Sequence, residues 1–118
     1  MKKDIASRLE ECMGVEKLFL DRSLTLTKLA MRVGTNRTYM SNYLNTVLHQ
    51  TFFTYVNSLR LAYATELLLT TQLTLAVIAE RSGFNSLSTF RRCFQLTYGC
   101  SAASYRNAHG QTEPSPEG

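Results

Sequence analysis

An apolar stretch near the middle of the chain runs from Phe52 to Thr70 and reads FFTYVNSLRLAYATELLLT. Apolar residues fall on almost every side of a helix drawn through it, and it contains neither glycine nor proline. This pattern is typical of a helix that is buried on most sides rather than laid on a surface. It therefore predicts a central helix over about residues 52–70, with other elements covering its flanks.

Two similar segments flank this stretch, LTLTKLAMRVG at residues 24–34 and LTLAVIAERSG at residues 73–83. Six of their positions are identical at an offset of 49 residues. The similarity resumes after the final glycines at an offset of 50, where Met40 pairs with Phe90. Because self-similarity at a fixed spacing indicates a repeated supersecondary unit, the chain is predicted to contain two similar units that share one helix.

The first unit combines two short helical patterns separated by Gly34. Thr25 is the predicted N-cap of the first helix and Asn36 that of the second, while Gly34 suits the left-handed position that ends a helix. Two helices joined by a turn of about three residues make a helix-turn-helix pattern. The predicted buried stripes are Leu26, Leu29, Ala30 and Val33 in the first helix and Met40, Tyr43, Leu44 and Val47 in the second.

The second unit repeats this arrangement, with Thr74 and Ser86 as predicted N-caps and Gly83 between the helices. After Gly99, Ser101 is expected to cap a last short helix. That helix is predicted to run through Tyr105 and Arg106. The predicted inner face of the unit's second helix consists of Phe90, Cys93, Phe94 and Thr97.

One further helix is predicted before the first unit's helix-turn-helix, from Asp4 as N-cap to about Leu20, with Ile5, Leu9 and Met13 on its apolar stripe. The fold class is therefore all-α, with about seven helices arranged as two homeodomain-like helix-turn-helix units and a connecting helix. We expect a single domain over residues 1–108, with the first unit at about 4–50, the connecting helix at about 52–70 and the second unit at about 73–108. Residues 109–118 contain both prolines and are predicted to form a disordered tail.

Composition narrows the function. A chain of 118 residues forms one core, and no apolar run approaches the roughly 18 residues of a membrane span, so we expect a cytoplasmic protein without a membrane partner. Between positions 22 and 112 there are nine basic and two acidic residues, a balance that favours an anionic partner. Many soluble domains are mildly basic, and charge alone does not distinguish nucleic acid from other partners.

Enzymatic chemistry finds little support in the sequence. Cys12, Cys93 and Cys100 do not pair with His49 or His109 at metal-ligand spacings, and we interpret them as reduced thiols used as small apolar side chains. There is no glycine-rich phosphate loop and no pair of carboxylates in an apolar context. We therefore predict no catalytic residue, no metal site and no cofactor.

The outward faces of the second helix of each unit show more specific chemistry. With 100° per residue, the side chains opposite the buried Met40 and Phe90 are polar and include no carboxylate. Arginine can bridge guanine and asparagine or glutamine can bridge adenine in a DNA major groove, where a carboxylate would repel phosphate. Any exposed helix is polar, but the recurrence at the same angles in both repeats favours DNA reading. These outward residues are Thr38, Ser41, Asn42 and Asn45 in the first unit and Ser88, Arg91, Arg92 and Gln95 in the second.

The motif IAERSGFNSLSTFRRCFQLTYGCSAASYR, from Ile78 to Arg106, resembles the signature of the AraC/XylS family of bacterial transcription regulators, I-A-x-x-x-G-F-x-S-x-S-x-F-x-R-x-F-K-x-x-x-G-x-S/T-P-x-x-Y-R. LAMRVGTNRTYMSNYLN and RLAYATELL resemble that family's first helix-turn-helix and connecting helix. The chain departs from the pattern at Ala102, where proline is usual, and at His49, where glycine is usual and a different helix end is expected. Asn45 and Gln95 stand where lysine is common.

The resemblance implies a domain that binds promoter DNA and commonly activates transcription by contacting RNA polymerase. Many relatives also carry a covalently linked sensory or dimerisation domain, which these 118 residues do not include. The predicted base contacts are the outward residues above together with Arg37. The predicted phosphate contacts are Lys28, Asn36, Arg60, Arg81, Ser86 and Arg106.

A helical protein-interaction module that does not read DNA is the main alternative, because Arg37 is the only basic residue of the first candidate recognition helix. Against it, a connecting helix of about sixteen residues would be roughly 24 Å long, enough to hold two recognition helices near one DNA turn apart. Retention on heparin or random duplex at low salt distinguishes the two hypotheses.

Overall fold

The computed structural model describes residues 4–110. In these residues it contains α-helices and no strand: α1 Ile5–Glu10, α2 Leu26–Val33, α3 Arg37–Thr46, α4 Phe52–Thr70, α5 Leu75–Arg81, α6 Leu87–Tyr98 and α7 Ala102–His109. The all-α prediction is confirmed, and α4 covers the residues predicted for the central helix. The chain divides into two compact units, the first ending at Ser58 and the second beginning at Leu59. No helix of the described part is long and apolar enough to cross a membrane.

Polar side chains begin most of these helices, as the sequence predicts. A free N–H group in the first turn of a helix needs an acceptor, and a short oxygen-bearing side chain just before the helix supplies one. In each case the oxygen accepts a hydrogen bond from the N–H three residues later, at 2.8 to 3.2 Å. The capping residues are Asp4, Thr25, Asn36, Thr74, Ser86 and Ser101.

Two glycines end the first helix of each helix-turn-helix in the same way. Gly34 has φ 91° and Gly83 has φ 90°, a left-handed conformation that side chains with a Cβ rarely adopt. The amide after each glycine bonds back to a carbonyl five residues earlier, that of Ala30 at 2.8 Å and that of Ala79 at 3.0 Å. This pattern satisfies the last carbonyls of α2 and α5, so the internal repeat extends to the backbone hydrogen bonds of the turn.

The segment before α2 differs from the prediction of one helix from Asp4 to about Leu20. The α-helix α1 gives way to a π-helical turn at Glu11–Val15, Lys17 adopts a left-handed φ of 53°, and a 3₁₀ turn follows at Leu18–Leu20. The wider π turn shifts the buried face, so that both Cys12 and Met13 are buried. Met13 is thus buried as its place on the predicted stripe requires, whereas the burial of Cys12 beside it was not predicted.

The core of the first unit is close to the predicted one. Leu29, Ala30 and Val33 of α2 and Met40 and Leu44 of α3 are buried, as expected from their spacing.

Val47 lies just beyond the end of α3 and is 53 % exposed, so its predicted burial is wrong. His49 adopts a left-handed φ of 56°, and the amide of Gln50 reaches back to the carbonyl of Leu44 at 3.0 Å. The chain thus leaves α3 through a left-handed residue even though glycine is absent.

An aromatic cluster fills the second unit. Phe84, Phe90 and Phe94 are fully buried, with ring centroids 5.5 Å apart for Phe84 and Phe90 and 6.0 Å apart for Phe90 and Phe94. Tilted and edge-to-face rings at such distances stabilise a core beyond the area that they bury. The cluster fixes the rotation of α6, and so decides which of its residues point outward.

Thr97 was predicted on the inner face of α6 but is exposed. Tyr98 takes this role, with its ring 4.4 Å from Phe94 and 4.9 Å from Tyr105 of α7, and its hydroxyl 3.3 Å from Oγ1 of Thr65. The reason is reach, since a tyrosine ring at the end of α6 extends to α7 and α4 while a threonine does not. Cys93 is half-buried, as an edge position of the inner face.

Arg106 has a structural role that sequence reasoning did not find. Its Nε donates to the carbonyl of Leu68 at 2.9 Å, its Nη1 to that of Leu73 at 2.7 Å and its Nη2 to that of Thr71 at 2.9 Å. These carbonyls lie at and beyond the end of α4, where backbone acceptors lack helical partners. The half-buried Arg106 side chain holds α7 to this end of α4, and its guanidinium donors are used within the protein, which disfavours the predicted phosphate contact.

One residue of the predicted tail belongs to a helix. His109 is the last residue of α7, and its ring lies 4.6 Å from that of Tyr105. Residues 111–118, the remainder of the predicted tail, lie outside the described residues.

Replacing Arg106 with lysine is expected to destabilise the protein by about 2 kcal/mol. Lysine keeps the positive charge but lacks the planar group whose three nitrogens donate to the three carbonyls. Each hydrogen bond from a charged group contributes about 1.5–3 kcal/mol. Urea denaturation of the full chain measures the change. Arg81→Lys is the matched control, since Arg81 is exposed, and should change stability by less than about 0.5 kcal/mol. Equal stabilities of the two variants would contradict the role assigned to Arg106.

Candidate nucleic-acid interface

The N-terminus of α3 is organised by Asn36, whose side-chain oxygen accepts from the amide of Tyr39 at 2.8 Å. With Met40 and Leu44 buried, the opposite side of α3 faces away from the core. Thr38, Asn42 and Asn45 are exposed there, while Ser41 is half-buried at the edge of the same face. Arg37 is also exposed, but it lies only about 60° around the helix axis from Met40. The structure therefore places four of the five predicted residues of the first unit on one polar helix face, with Arg37 beside it in the first turn.

The N-terminus of α6 has the same construction. Ser86 accepts from the amide of Thr89 at 3.1 Å, and the two side-chain oxygens of these residues are 3.0 Å apart. Phe90 and Phe94 turn one side of the helix into the core. The opposite side exposes all four predicted residues, Ser88, Arg91, Arg92 and Gln95.

Charge differs between the two faces, although neither helix contains an acidic residue. The outward face of α6 carries Arg91 and Arg92, whereas α3 carries a single arginine, Arg37, in its first turn. Amide and hydroxyl groups dominate the α3 face. Hydrogen-bonding donors and acceptors are thus available on both helices, but electrostatic attraction to an anion is concentrated on α6.

The candidate phosphate contacts divide into accessible and inaccessible groups. Lys28 is exposed, and its Nζ donates to the carbonyl of Ser23 at 3.2 Å; Arg81 is exposed at the end of α5. Arg60, by contrast, is only 6 % exposed in the middle of α4, which leaves little of its side chain accessible to a phosphate. Helical periodicity at this position did not show that neighbouring elements would cover so long a side chain.

A groove beside α6 was not evident from the sequence. It has a volume of about 370 Å³ and lies where the starts of α5 and α7 approach the outward side of α6. Arg91 and Gln95 border it together with Leu75, Ser101, Ala102 and Ala103. Single-helix patterns cannot reveal a groove formed by three helices, which is why these added residues escaped the sequence analysis.

The thiols near these elements are weakly reactive. Burial raises the pKa of Cys93, against the opposing effect of the nearby Arg92, and burial likewise raises the pKa of Cys12. A raised pKa keeps a thiol protonated at neutral pH, and a protonated thiol is a poor nucleophile and metal ligand. Cys12, Cys93 and Cys100 are free thiols. The raised pKa values of Cys12 and Cys93 agree with the interpretation of these two thiols as small apolar side chains.

Tyr55, in the first unit, shows a larger shift. Burial, followed by the nearby Tyr43, raises its pKa to about 12. Its hydroxyl therefore stays neutral throughout the physiological range, and it contributes no charge to this region.

Comparison with known proteins agrees with this construction. A family model described as a helix-turn-helix domain matches residues 29–108. The chain is 31 % identical over 97 residues to the transcriptional activator NphR of a Rhodococcus species, a match covering 82 % of this chain and 29 % of NphR. It is also 31 % identical over 88 residues to the regulatory protein SoxS of Escherichia coli K12, covering 75 % of this chain and 82 % of SoxS.

Solved structures show the same fold. The C-terminal domain of AraT, a response regulator from Geobacillus stearothermophilus, has a TM-score of 0.83 and 28 % identity, covering 98 % of this chain and 94 % of that one. The DNA-binding domain of AdpA, solved in complex with a target DNA, has a TM-score of 0.78 at 21 % identity over 91 % of this chain and 93 % of that one, which shows a shared fold. With two capped helix-turn-helix units in the described residues, the chain belongs to the AraC/XylS family of DNA-binding transcription regulators.

Proposed function

We propose that this chain binds promoter DNA sequence-specifically by placing α3 and α6 in successive major-groove segments of one duplex. The observation that carries the proposal is the recurrence, at equivalent positions of both helices, of an outward face that is polar and free of carboxylates. A single such face is common on soluble proteins. Two in register, each opposite a buried apolar stripe, favour a shared ligand with regularly spaced hydrogen-bonding groups.

Base reading on this proposal follows from side-chain chemistry. Arg91 and Arg92 can each donate two hydrogen bonds to O6 and N7 of guanine, and Asn42, Asn45 and Gln95 can each bridge N6 and N7 of adenine. Arg37, Thr38, Ser41 and Ser88 complete the proposed base contacts. Each helix would read the bases nearest its N-terminal turns, which enter the groove first.

Phosphate contacts position the protein and add affinity that does not depend on sequence. We propose Lys28 and Arg81 for this role, together with the helix N-termini at Asn36 and Ser86. Free N–H groups and the helix dipole favour an anion at such termini. We do not propose Arg60 and Arg106 as phosphate contacts. Arg60 is buried, and Arg106 donates to three backbone carbonyls of the protein.

Transcription activation is proposed from similarity to NphR, which is named as a transcriptional activator. Regulation would then proceed through binding, with RNA polymerase as the protein partner and without catalysis by this chain. Transcription by purified polymerase from a template carrying the selected site tests this part. Increased transcript on addition of the protein supports activation, whereas decreased transcript contradicts it.

The direct test of DNA reading is selection of bound sequences from a random duplex library. We expect enrichment of a site with two conserved segments, one for each recognition helix. Retention on heparin without any enriched sequence would contradict base reading. Failure to bind either heparin or duplex at low salt would instead favour a protein-interaction module.

Arg92→Ala is expected to cost more binding free energy than Asn42→Ala, its angular equivalent on α3. A bidentate arginine–guanine contact contributes about 1–3 kcal/mol of discrimination, and the charge adds attraction to phosphate. We therefore expect an affinity loss of at least about 1.5 kcal/mol for Arg92→Ala and about 1 kcal/mol for Asn42→Ala. Both are measured on the selected site at one salt concentration.

The two variants should also differ in where preference is lost. Arg92→Ala should relax base preference in one segment of the site and Asn42→Ala in the other. Thr97→Ala is the control, since Thr97 is exposed on α6 but is not one of the proposed base contacts. It should bind the selected site with wild-type affinity. A larger loss for Asn42→Ala would reverse the order and make α3 the principal reader.

A further inference from the structure

Tyr39 is an aromatic residue whose position in the fold has no structural explanation. It lies in the first turn of α3, and 53 % of its surface is exposed. Among the described residues, its hydroxyl makes no hydrogen bond and its ring packs on no other aromatic ring. Its backbone amide donates to Asn36 at 2.8 Å, so the backbone at this position is held firmly while the side chain remains accessible.

The position of Tyr39 relates it directly to the proposed reading face. Asn36 and Asn42 lie three residues on either side, and residues three apart are neighbours on a helix surface, with Cβ atoms about 5–6 Å apart. Measured around the helix axis, Tyr39 is about 60° from Asn42. Tyr39 is therefore a surface neighbour of the exposed Asn42, and lies nearer the N-terminus of α3, which would enter a major groove first.

The second unit presents a different group at the equivalent position. Its counterpart, Thr89, is half-buried, and its Oγ1 lies 3.0 Å from Oγ of Ser86. The hydroxyl is thus turned toward the cap of α6. At this position the first repeat has an exposed aromatic ring and the second has a threonine. The helix with the ring, α3, also carries fewer cations than α6, whose arginines are Arg91 and Arg92.

We propose that Tyr39 is a specificity-determining residue that packs its ring against the C5-methyl group of a thymine, beside the base pair contacted by Asn42. The thymine methyl is the apolar feature of the major-groove edge, and contact with it distinguishes thymine from the other bases. This inference rests on the proposed function, since it requires α3 to occupy a major groove. On this proposal α3 recognises bases both by hydrogen bonds and by an apolar contact with a thymine methyl group.

The test replaces each thymine of the selected site in turn with deoxyuridine, which removes one methyl group and keeps base pairing. For the wild-type chain we expect one position at which affinity falls about fourfold, the value of one buried methyl group. Tyr39→Phe should show the same sensitivity, because the ring is kept. Tyr39→Ala should bind the unmodified site more weakly and lose sensitivity to deoxyuridine at that position.

Val47→Ala is the matched control, since Val47 is equally exposed but lies just beyond the C-terminal end of α3, away from Asn42. It should retain the wild-type response at every position. Circular dichroism and melting of each variant establish that the fold is kept, as expected for exposed side chains.

Two results overturn the inference. In the first, Tyr39→Phe loses as much affinity as Tyr39→Ala. The contribution of Tyr39 to binding would then come from its hydroxyl group, in contact with a phosphate, and not from its ring. Equal deoxyuridine sensitivity in wild type and Tyr39→Ala at every thymine would show that the ring contacts no methyl. Absence of any preference for the selected site in the wild-type chain would instead count against the proposed function itself, so the two failures are distinguishable.

Discussion

Replacing Phe94 with alanine is expected to destabilise the second unit by about 3–5 kcal/mol. Phe94 is fully buried on α6, and its ring centroid lies 6.0 Å from that of Phe90, 4.4 Å from that of Tyr98 and 5.3 Å from that of Tyr105. Truncation removes apolar contact with each of these rings and leaves a cavity that the surrounding helices fill only in part. A loss of this size is comparable with the whole stability of many small domains.

Thermal and urea denaturation of the full chain measure this loss, and we expect the Tm to fall by at least about 10 °C. Leu96→Ala is the control on the same helix, since Leu96 is 79 % exposed and its truncation should cost less than about 0.5 kcal/mol. Similar melting of both variants would mean that the rotation of α6 is wrong. The outward assignment of Arg91 and Arg92 would then be wrong as well.

DNA binding is expected to weaken steeply with salt. Five accessible cations of the proposed interface, Lys28, Arg37, Arg81, Arg91 and Arg92, release counterions when they approach the duplex. With about 0.9 counterions released per neutralised phosphate, log K should fall against log salt concentration with a slope of about −4.5. Affinity should then decrease roughly 500-fold between 50 and 200 mM salt.

This slope is measured by titrating the selected duplex at four or more salt concentrations. Arg91→Ala should make the slope shallower by about 0.9, because one cation is lost. Arg60→Met is the control: Arg60 is buried, so the slope of this variant should equal that of the wild type if the variant remains folded. A wild-type slope near zero would argue against phosphate contacts and against DNA as the ligand.

Two arginines that the sequence suggested as phosphate contacts are less accessible in the fold than expected, for the same reason. Arg60 and Arg106 were assigned to phosphates because arginine is most often exposed and charged. Only the folded chain shows that Arg60 is buried and that Arg106 donates to the carbonyls of Leu68, Thr71 and Leu73. Arg106 and these carbonyls are more than thirty residues apart in the sequence. A pattern read over one helical window contains no information about such partners.

Helix ends produced the other differences. Val47 and Thr97 lie at the C-terminal ends of α3 and α6, and both are exposed. The π turn at Glu11–Val15 changes the period within a predicted helix. Period-based reasoning was reliable in the middle of α2, α3 and α6, where the buried residues were those expected. It was wrong where the helical geometry itself changed.

The sequence by itself determined the all-α class, the internal repeat, the helix caps and the outward faces of α3 and α6. Each depends on residues within about one helical turn of each other, such as Ser86 with Thr89, or on the backbone preference of one residue, such as Gly34 and Gly83. Only the tertiary structure decided which cations are accessible, how the ring of Tyr98 packs on Phe94 and Tyr105, and which residues border the groove beside α6. These features depend on contacts between helices distant in the chain, where packing and desolvation outweigh local preference.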